Sequence, residues 1–285
     1  MDYYTPASFE EASAIAASST GITRFLAGGT DVLVQMRSGI VKPDTIIDIK
    51  HIPEAREIER DSAGGWIVGV AISGAELNEH AELRQEWPGL VETVNLIGST
   101  QIQGRATLIG NLCNGSPAAD CVPALFAAGV EVSITGPSGV RRTKVEDIPT
   151  GPGKTSLEIF EVISALHIPA QKTSGGDAYL RFIPRTEMDI AVVGCAVNLS
   201  VDGNIITEAR VSLGAVAPTV VLSEESGGAL IGSSLNQVAL ETLASEAASA
   251  CKPINDKRGT IEFRKEVAGV IAKRTATVAY ERARN

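Results

Sequence analysis

The feature that most constrains this chain is a pair of adjacent glycines, Gly28 and Gly29, between two apolar stretches in RFLAGGTDVLVQM (residues 24–36). Glycine tolerates positive φ and lets another group approach the backbone without meeting a Cβ. The stretch therefore predicts a buried strand, a tight turn, and a helix capped by Thr30 or Asp31. Such a turn is built either around a ligand or without one, and the rest of the chain has to decide between them.

Composition and charge exclude several classes of protein. The 285 residues are enough for about two domains of roughly 150 residues each. The net charge of -9 argues against nucleic acid as a partner, because phosphate-binding proteins carry a clustered basic excess. No apolar run approaches the ~18 residues of a membrane span, and the amino terminus is acidic and amphipathic rather than a secretory signal. We expect a cytoplasmic protein without a transmembrane segment.

The cysteines and histidines predict neither a metal site nor a catalytic side chain. The cysteines stand at positions 113, 121, 195 and 251, and no pair has the C-x-x-C spacing of a zinc or redox site. We expect reduced thiols, because no signal peptide precedes them. The three histidines, at 51, 80 and 167, lie beside no serine or cysteine motif that would indicate a catalytic triad.

The hydrophobic pattern predicts an α+β fold in two domains. Short strands alternate with helices over residues 1–175, in subdomains of about 1–55 and 56–175. We place the boundary in the turn-rich segment PAQKTSGGDA (169–178), which we expect to be an exposed linker.

The second predicted domain, 176–285, contains two long strands around an Asp-Gly-Asn turn. Helices at about 235–250 and 259–282 follow these strands. Strands followed by helices are typical of a separate α+β domain.

Three familiar nucleotide and catalytic motifs do not fit. The segment GPGKTS (151–156) lacks the earlier glycine of a nucleoside-triphosphate loop, since that position is Ile148, and it predicts a plain surface turn. The turn at Gly28 does not continue as the G-x-G-x-x-G of a Rossmann fold. GPSG at 136–139 lacks the frame of a nucleophile elbow.

Two glycine-bearing loops remain, LAGGTD (26–31) and TLIGNLCNGSPAAD (107–120), about eighty residues apart. Each can present backbone N–H groups to an anion, and together they can hold the two phosphates of a pyrophosphate. Backbone dipoles suit an acidic chain, because they replace cationic side chains. The spacing alone leaves open the alternative of two unrelated turns.

The sequence around these loops resembles that of a known family. FLAGGTDVLVQM, ATLIGNLCNGSPAADCVPAL and YLRFIPRTEMDIAVV, in this order, resemble the FAD-binding medium subunits of the xanthine dehydrogenase and carbon monoxide dehydrogenase family of molybdenum hydroxylases. The resemblance covers essentially the whole chain. It implies a two-part FAD-binding domain of the vanillyl-alcohol-oxidase (PCMH) type, followed by an α+β domain, with the glycine pair against the FAD pyrophosphate.

The resemblance also implies the FAD-binding residues. A first loop comprises Phe25, Leu26, Ala27, Gly28, Gly29, Thr30, Asp31 and Val32. The second loop and the positions outside the loops are Thr107, Gly110, Asn111, Asp120, Ile97, Ile163 and Arg181. The segment RTEMDIA (185–191) is expected on the other side of the flavin.

Two positions depart from the family pattern. Ile109 replaces the first glycine of the usual Gly-Gly-Asn. We expect the local backbone, or its distance to the phosphate, to differ from that of relatives. Arg181 stands where many relatives have lysine, so a planar fork replaces a point donor. The cysteine-rich insertion of one branch of the family is not visible.

The implied function is electron transfer through non-covalently bound FAD to an external acceptor. The implied partners are a large subunit with the molybdenum cofactor and a small subunit with 2Fe-2S clusters, in a dimer of heterotrimers. Two alternatives are a free-standing FAD-dependent oxidoreductase of the same fold and a non-enzymatic nucleotide-binding protein. Neither the hydroxylated substrate nor the electron acceptor follows from the sequence.

Overall fold

The amino-terminal part of the fold is a small parallel sheet with two helices. The structure is a computed structural model that describes residues 1–186 and 188–285. The elements of this part are β1 (Asp2–Tyr4), α1 (Phe9–Ser18), β2 (Thr23–Leu26), α2 (Val32–Arg37) and β3 (Thr45–Asp48). The strand order is β1-β3-β2, with both neighbours parallel to β3.

Helix α1 illustrates how local sequence sets these elements. The Ser8 side chain accepts a hydrogen bond from the backbone N–H of Glu11, which satisfies one of the unpaired donors at the helix start. Phe9, Ala12 and Ala16 form its buried face. The strand and the helix predicted before and after the glycine pair are present as β2 and α2, although Leu26 is the buried residue of β2.

The middle part is an antiparallel sheet with short helices. Its strands are β4 (Ile58–Arg60), β5 (Trp66–Gly69), β6 (Glu131–Gly136), β7 (Gly139–Lys144), β8 (Pro149–Gly151), β9 (Lys154–Thr155) and β10 (Val162–Ile168). Its helices are α3 (Gly74–Glu79), α4 (Ala81–Glu86), α5 (Pro88–Glu92), α6 (Thr100–Gln103), α7 (Leu108–Cys113) and α8 (Cys121–Ala128). The sheet order is β4-β5-β10-β6-β7, and β8 and β9 form a separate hairpin.

Short 3-10 helices connect several of these elements, at Ile49–His51, Pro53–Arg56, Thr93–Leu96 and Val145–Asp147. The glycine-bearing loop expected at residues 107–120 contains α7, and α6 precedes it. Helices of four to six residues give too few turns for a clear hydrophobic period, so the pattern does not reveal them.

The carboxyl-terminal part is an antiparallel sheet covered by two longer helices. Its elements are β11 (Gly175–Phe182), β12 (Val193–Asp202), β13 (Ile205–Gly214), β14 (Val221–Ser223), α9 (Glu224–Gly228), α10 (Gln237–Ala250) and α11 (Ile261–Ala283). The sheet order is β11-β12-β13-β14. Helix α11 packs on β11 and β12 through a row of fully buried alanines at 268, 272, 276 and 279. The α+β fold class is confirmed.

Helix α8 joins the middle part to the carboxyl-terminal sheet. All of its residues are buried, and it packs on β12 and β13. The Arg210 guanidinium donates to the carbonyl oxygens of Phe126 at 2.8 Å and Ala127 at 3.2 Å, at the end of α8. Cations are favoured there, because a helix carboxyl terminus carries unpaired carbonyls and partial negative charge. The two parts therefore hold α8 in a fixed position.

The predicted exposed linker, 169–178, is partly wrong. Its last residues belong to β11, and Asp177 is only 5% exposed. The Asp177 carboxylate accepts hydrogen bonds from the backbone N–H groups of Gly89 at 3.0 Å and Leu90 at 2.6 Å, at the start of α5. Turn-rich composition does not reveal this long-range capping contact. The division into domains 1–175 and 176–285, with subdomains near residue 55, stays a prediction.

Candidate functional site

A cleft with a volume of about 630 Å³ is the centre of the candidate site. Its lining residues come from the β2–α2 segment 21–35, the α7 segment 106–114 and the segment 153–163, which begins in the β8–β9 hairpin. Ile49 and Ile97 complete the wall. The two glycine-bearing loops predicted from the sequence thus face the same space, which argues against two unrelated turns.

Most of the sequence-predicted site residues line this cleft. They are Phe25, Ala27, Gly28, Gly29, Thr30, Asp31, Val32, Ile97, Thr107, Gly110, Asn111 and Ile163. Within the described residues, Leu26, Asp120 and Arg181 are not part of the lining. Leu26 is 8% exposed and ends β2. The segment 185–191 includes residue 187, which lies outside the described residues, and the remainder of that segment does not line the cleft.

The first loop offers a row of free backbone donors. In the described part of the chain, the N–H groups of residues 28–32 donate to no protein acceptor. Carbonyl groups of the same loop start α2, since the Leu33 N–H donates to the Gly29 oxygen at 3.1 Å. A row of N–H groups without protein partners is the chemistry that binds phosphate oxygens.

At Gly28 the first loop contacts the backbone and side chain of Arg105, just before the second loop. The Arg105 side chain donates from Nε to the Gly28 carbonyl oxygen at 3.2 Å. A Cβ added to Gly28 would lie 2.0 Å from the Arg105 carbonyl oxygen, so no other residue fits without moving that backbone. The resemblance implies that phosphate approaches this glycine, but its open side faces the backbone of Arg105 and Ala106, just before the second loop.

Gly29 is required for a different reason. Its φ is +78°, in the left-handed region that favours glycine. A Cβ there would lie 3.0 Å from Leu26 Cδ1 and 3.1 Å from Leu33 Cδ1. Each glycine of the pair therefore lets the first loop pack against protein while its N–H groups stay free.

A side-chain bridge also crosses the cleft. The Asn114 amide accepts from Gln35 Nε2 at 3.2 Å and donates to Asp31 Oδ1 at 3.2 Å. Asp31 stands at the amino-terminal cap of α2, but within the described residues its side chain makes no capping bond. The expected cap is therefore replaced by a contact to the second loop, and desolvation raises the pKa of Asp31.

The second loop is fixed by its own caps. The Thr107 hydroxyl accepts from the Gly110 N–H at 2.9 Å at the start of α7. The Asn111 side chain accepts from the Cys121 N–H at 3.0 Å, which ties α7 to the start of α8. Ile109, where the family pattern has glycine, is 6% exposed and packs into the hydrophobic core.

The β8–β9 hairpin forms a wall that sequence analysis missed. The Gly153 N–H donates to the Gly115 carbonyl oxygen at 2.9 Å, and Gly153 and Thr155 line the cleft. The segment GPGKTS was interpreted as a plain surface turn, and it is a surface hairpin that also closes the site. The glycine at 115, with φ of +63°, is the only local signal, since a Cβ there would lie 2.9 Å from Lys154 N.

A buried ion pair lies behind the cleft, at the start of α8. Arg181 Nη1 donates to Asp120 Oδ2 at 2.7 Å, and the Tyr179 hydroxyl donates to Asp120 Oδ1 at 3.2 Å. Burial raises the pKa of Asp120 despite the opposing effect of Arg181. The structure thus brings the two predicted residues together as partners of each other.

The geometry fits a dinucleotide. The free N–H row suits a pyrophosphate, the narrow contact at Gly28 fixes both loops, and apolar walls such as Ile97 and Ile163 suit aromatic rings. The fold and the cleft define a protein that binds a dinucleotide between two loops.

The family follows from comparison with known proteins. A family model described as the FAD binding domain in molybdopterin dehydrogenase matches residues 1–171, and one described as the CO dehydrogenase flavoprotein C-terminal domain matches residues 178–279. The chain belongs to this family of FAD-binding oxidoreductase subunits, and its cofactor is FAD. The predicted family resemblance is confirmed.

Relatives match over nearly the whole chain. A putative xanthine dehydrogenase FAD-binding subunit of Escherichia coli is 31% identical, over 90% of this chain and 88% of that protein. The carbon monoxide dehydrogenase medium chain of Hydrogenophaga pseudoflava is 30% identical, over 99% and 98%. A solved structure of carbon monoxide dehydrogenase from the same organism superimposes with a TM-score of 0.94 at 29% identity, covering 99% of this chain and 98% of that one.

No helix in residues 1–186 or 188–285 combines the length and apolarity that crossing a bilayer requires.

Proposed function

We propose that this chain is the FAD-binding electron-transfer subunit of a heterotrimeric molybdenum hydroxylase. It takes electrons from 2Fe-2S clusters of a small subunit and passes them to an external acceptor. The observation that carries the proposal is the row of free N–H groups at residues 28–32, in a cleft of about 630 Å³. The match to relatives named as a medium chain and an FAD-binding subunit supports it.

In this proposal the chain binds and orients the cofactor. The N–H groups of residues 28–32 hold the pyrophosphate, and the second loop, with Thr107, Gly110 and Asn111, closes on it from the other side. Ile97 and Ile163 pack against the ring systems. When bound, FAD supplies the ability to pass electrons singly or in pairs.

Asp120 and Arg181 are proposed to act at the flavin end, as the family resemblance implies. They lie at the start of α8, which Asn111 ties to the cleft. Leu26 is proposed to support the first loop from below, since its side chain lies 3.0 Å from the position of a Cβ on Gly29.

FAD is proposed to bind non-covalently. Cys113 lines the cleft, and burial raises the pKa of its thiol to about 12, so the nucleophilic thiolate is not populated at neutral pH. Among the described residues, no histidine lines the cleft. The side chains that carry covalent flavin in other proteins are thus inactive or distant.

The proposed assembly contains a large subunit with the molybdenum cofactor and a small subunit with 2Fe-2S clusters. We propose two copies of this heterotrimer and a cytoplasmic location. The Hydrogenophaga pseudoflava relative is named as the medium chain of carbon monoxide dehydrogenase, which supports the proposal of further subunits.

Copurification tests this function. The chain is tagged, expressed at native level in its source cells and purified, and FAD, iron and molybdenum are measured against protein. We expect one FAD per chain together with iron and molybdenum on two further subunits. FAD alone would instead support a free-standing oxidoreductase, and absence of flavin would support a non-enzymatic nucleotide-binding protein.

A further inference from the structure

We propose that helix α2 and the loop after it form the docking surface for an acidic partner subunit that delivers electrons to the FAD. This inference rests on the proposed function. The surface consists of Ile22, Leu33, Val34 and Ile40, with the surrounding cations, and we call it the α2 surface. The partner subunit is expected to present an apolar centre with a rim of carboxylates.

The first observation is that α2 has a mostly apolar sequence but no buried residue. None of its residues, Val-Leu-Val-Gln-Met-Arg, is buried, and the structure describes all of them. Leu33 is 48% exposed and Val34 is 64% exposed. A helix this short is not stable on its own propensity and depends on packing of an apolar face. The unpacked apolar face is therefore available for a partner.

The second observation is that the apolar residues around α2 are contiguous. The backbone N–H groups of Ile40 and Val41 both donate to the Gln35 carbonyl oxygen, at 3.0 Å and 3.3 Å. The Asp44 N–H donates to the Ile22 carbonyl oxygen at 2.8 Å. The bonds to Gln35 hold Ile40, which is 76% exposed, against α2, and Ile22, which is 43% exposed, lines the same cleft as Val32 and Gln35 of α2. Contiguous apolar patches of this kind mark interaction sites, whereas single exposed residues do not.

The third observation is the charge around the patch. The chain as a whole carries a net charge of -9, yet the segments next to the patch carry exposed cations: Arg37 in α2, Lys42 in the loop after it, Arg24 in β2, and Arg105 against Gly28. Among the described residues, none of these cations forms an ion pair. The nearby carboxylates are occupied, because Asp31 binds Asn114 and Asp44 accepts from the Ile22 N–H.

Charge complementarity selects the occupant. A cationic rim on an acidic protein attracts a surface richer in carboxylates, which steers encounter and fixes orientation. The patch also continues into the FAD cleft, since Ile22, Val32 and Gln35 line it. An electron donor seated on the α2 surface would therefore lie beside the cofactor site. A second copy of this chain is the competing occupant.

Matched substitutions test the surface in the assembled enzyme. Val34→Glu places an anion on the patch, and Val238→Glu places one on α10, where the valine is 72% exposed. Ile40→Glu is matched by Ile254→Glu, at 71% exposure. Each complex is purified through the tagged chain, and iron per FAD and the concentration at which subunits dissociate are measured by mass photometry.

We expect Val34→Glu and Ile40→Glu to weaken subunit association at least tenfold, with FAD per chain unchanged. The two control variants should stay within twofold of the wild type. Arg37→Glu should weaken association, most strongly at low salt, whereas Arg274→Glu should not.

The outcomes separate this inference from the proposed function. Wild-type chain without iron-containing partners would contradict the function itself. Wild-type complex with intact partners, together with equal association for Val34→Glu and Val238→Glu, would overturn only the α2 surface. A Val34→Glu effect confined to self-association of the isolated chain would assign the surface to a second copy, and would also overturn the proposal.

Discussion

The carbonyl oxygen of Arg105 lies 2.0 Å from the position that a Cβ on Gly28 would occupy. The Arg105 side chain returns to the same glycine and donates to its carbonyl oxygen at 3.2 Å. The first loop therefore touches the segment just before the second loop, 77 positions further along the chain, through a residue that has no side chain. This contact places the free N–H groups of residues 28–32 opposite the second loop.

Gly28→Ala should therefore open the cleft. The added methyl group forces the Arg105 backbone away, and we expect FAD affinity to fall at least about tenfold, or ~1.4 kcal/mol. Gly39→Ala is the control, because Gly39 has a φ of +75° but no atom near its Cβ position. It should cost about 1 kcal/mol of stability through backbone strain and leave FAD affinity unchanged. Fluorescence titration of the apoprotein with FAD measures the affinity of each variant. Equal affinities in the two variants would contradict the loop contact.

The Asn114 bridge should act through its partners rather than as a separate contact to FAD. Gln35→Ala removes one hydrogen bond of the bridge, worth about 0.5–1.5 kcal/mol, and Asn114→Ala removes both, including the one to Asp31, so each should weaken FAD binding several-fold. The double variant should lose little more than Asn114→Ala alone, because that substitution already removes the hydrogen bond to Gln35. Calorimetric titration of all four proteins checks this. Fully additive losses would show that Asn114 binds the cofactor independently.

Sequence reasoning found the two loops because glycine pairs and caps are local signals. Gly29 has a positive φ, and Thr107 caps α7, so both features depend on residues that are close in the chain. The reason for Gly28 is not local, since it depends on which backbone packs against it. The same holds for the β8–β9 hairpin, whose place beside Gly115 is decided by packing across the fold.

The fold was predictable to a similar depth. The long hairpin of β12 and β13 was predicted from two long strand patterns around an Asp-Gly-Asn turn. Helix α11 was predicted as a long helical segment at about 259–282. The short helices α6 and α7 gave no clear period. Asp177 was placed in a linker because its neighbours are turn residues, and nothing local shows that a distant helix start receives its carboxylate.

Removing one member of the buried pair behind the cleft should destabilise the chain strongly. Arg181→Met leaves the Asp120 carboxylate buried without its partner, which typically costs about 3–5 kcal/mol. Lys172→Met, in the exposed pair with Glu208, should cost less than about 1 kcal/mol. Urea unfolding followed by circular dichroism gives both free energies. Similar losses for the two variants would show that the Asp120 pair contributes no more than a surface contact.

Asp177 should make stability depend on pH. Burial raises its pKa from 3.8 to about 6, although the N–H groups of Gly89 and Leu90 oppose this shift. Because the folded state holds the proton more tightly, its advantage is complete below about pH 4 and is lost as pH rises through 6. Relative to Asp177→Asn, the wild type should lose roughly 3 kcal/mol of unfolding free energy over that range.

Urea unfolding at several pH values between 4 and 7 measures this difference. Asp202→Asn, at the exposed end of β12, is the control and should follow the wild-type profile. A constant difference between wild type and Asp177→Asn across the range would contradict the raised pKa.

A crystal structure of the FAD-loaded chain is the most direct test of where the cofactor lies. We expect the pyrophosphate oxygens within hydrogen-bonding distance of the backbone N–H groups of residues 28–32, with Thr107 to Asn111 on the other side and the Arg105 contact to Gly28 intact. Pyrophosphate bound elsewhere, or bound with these N–H groups facing only water, would contradict the assignment of the cleft.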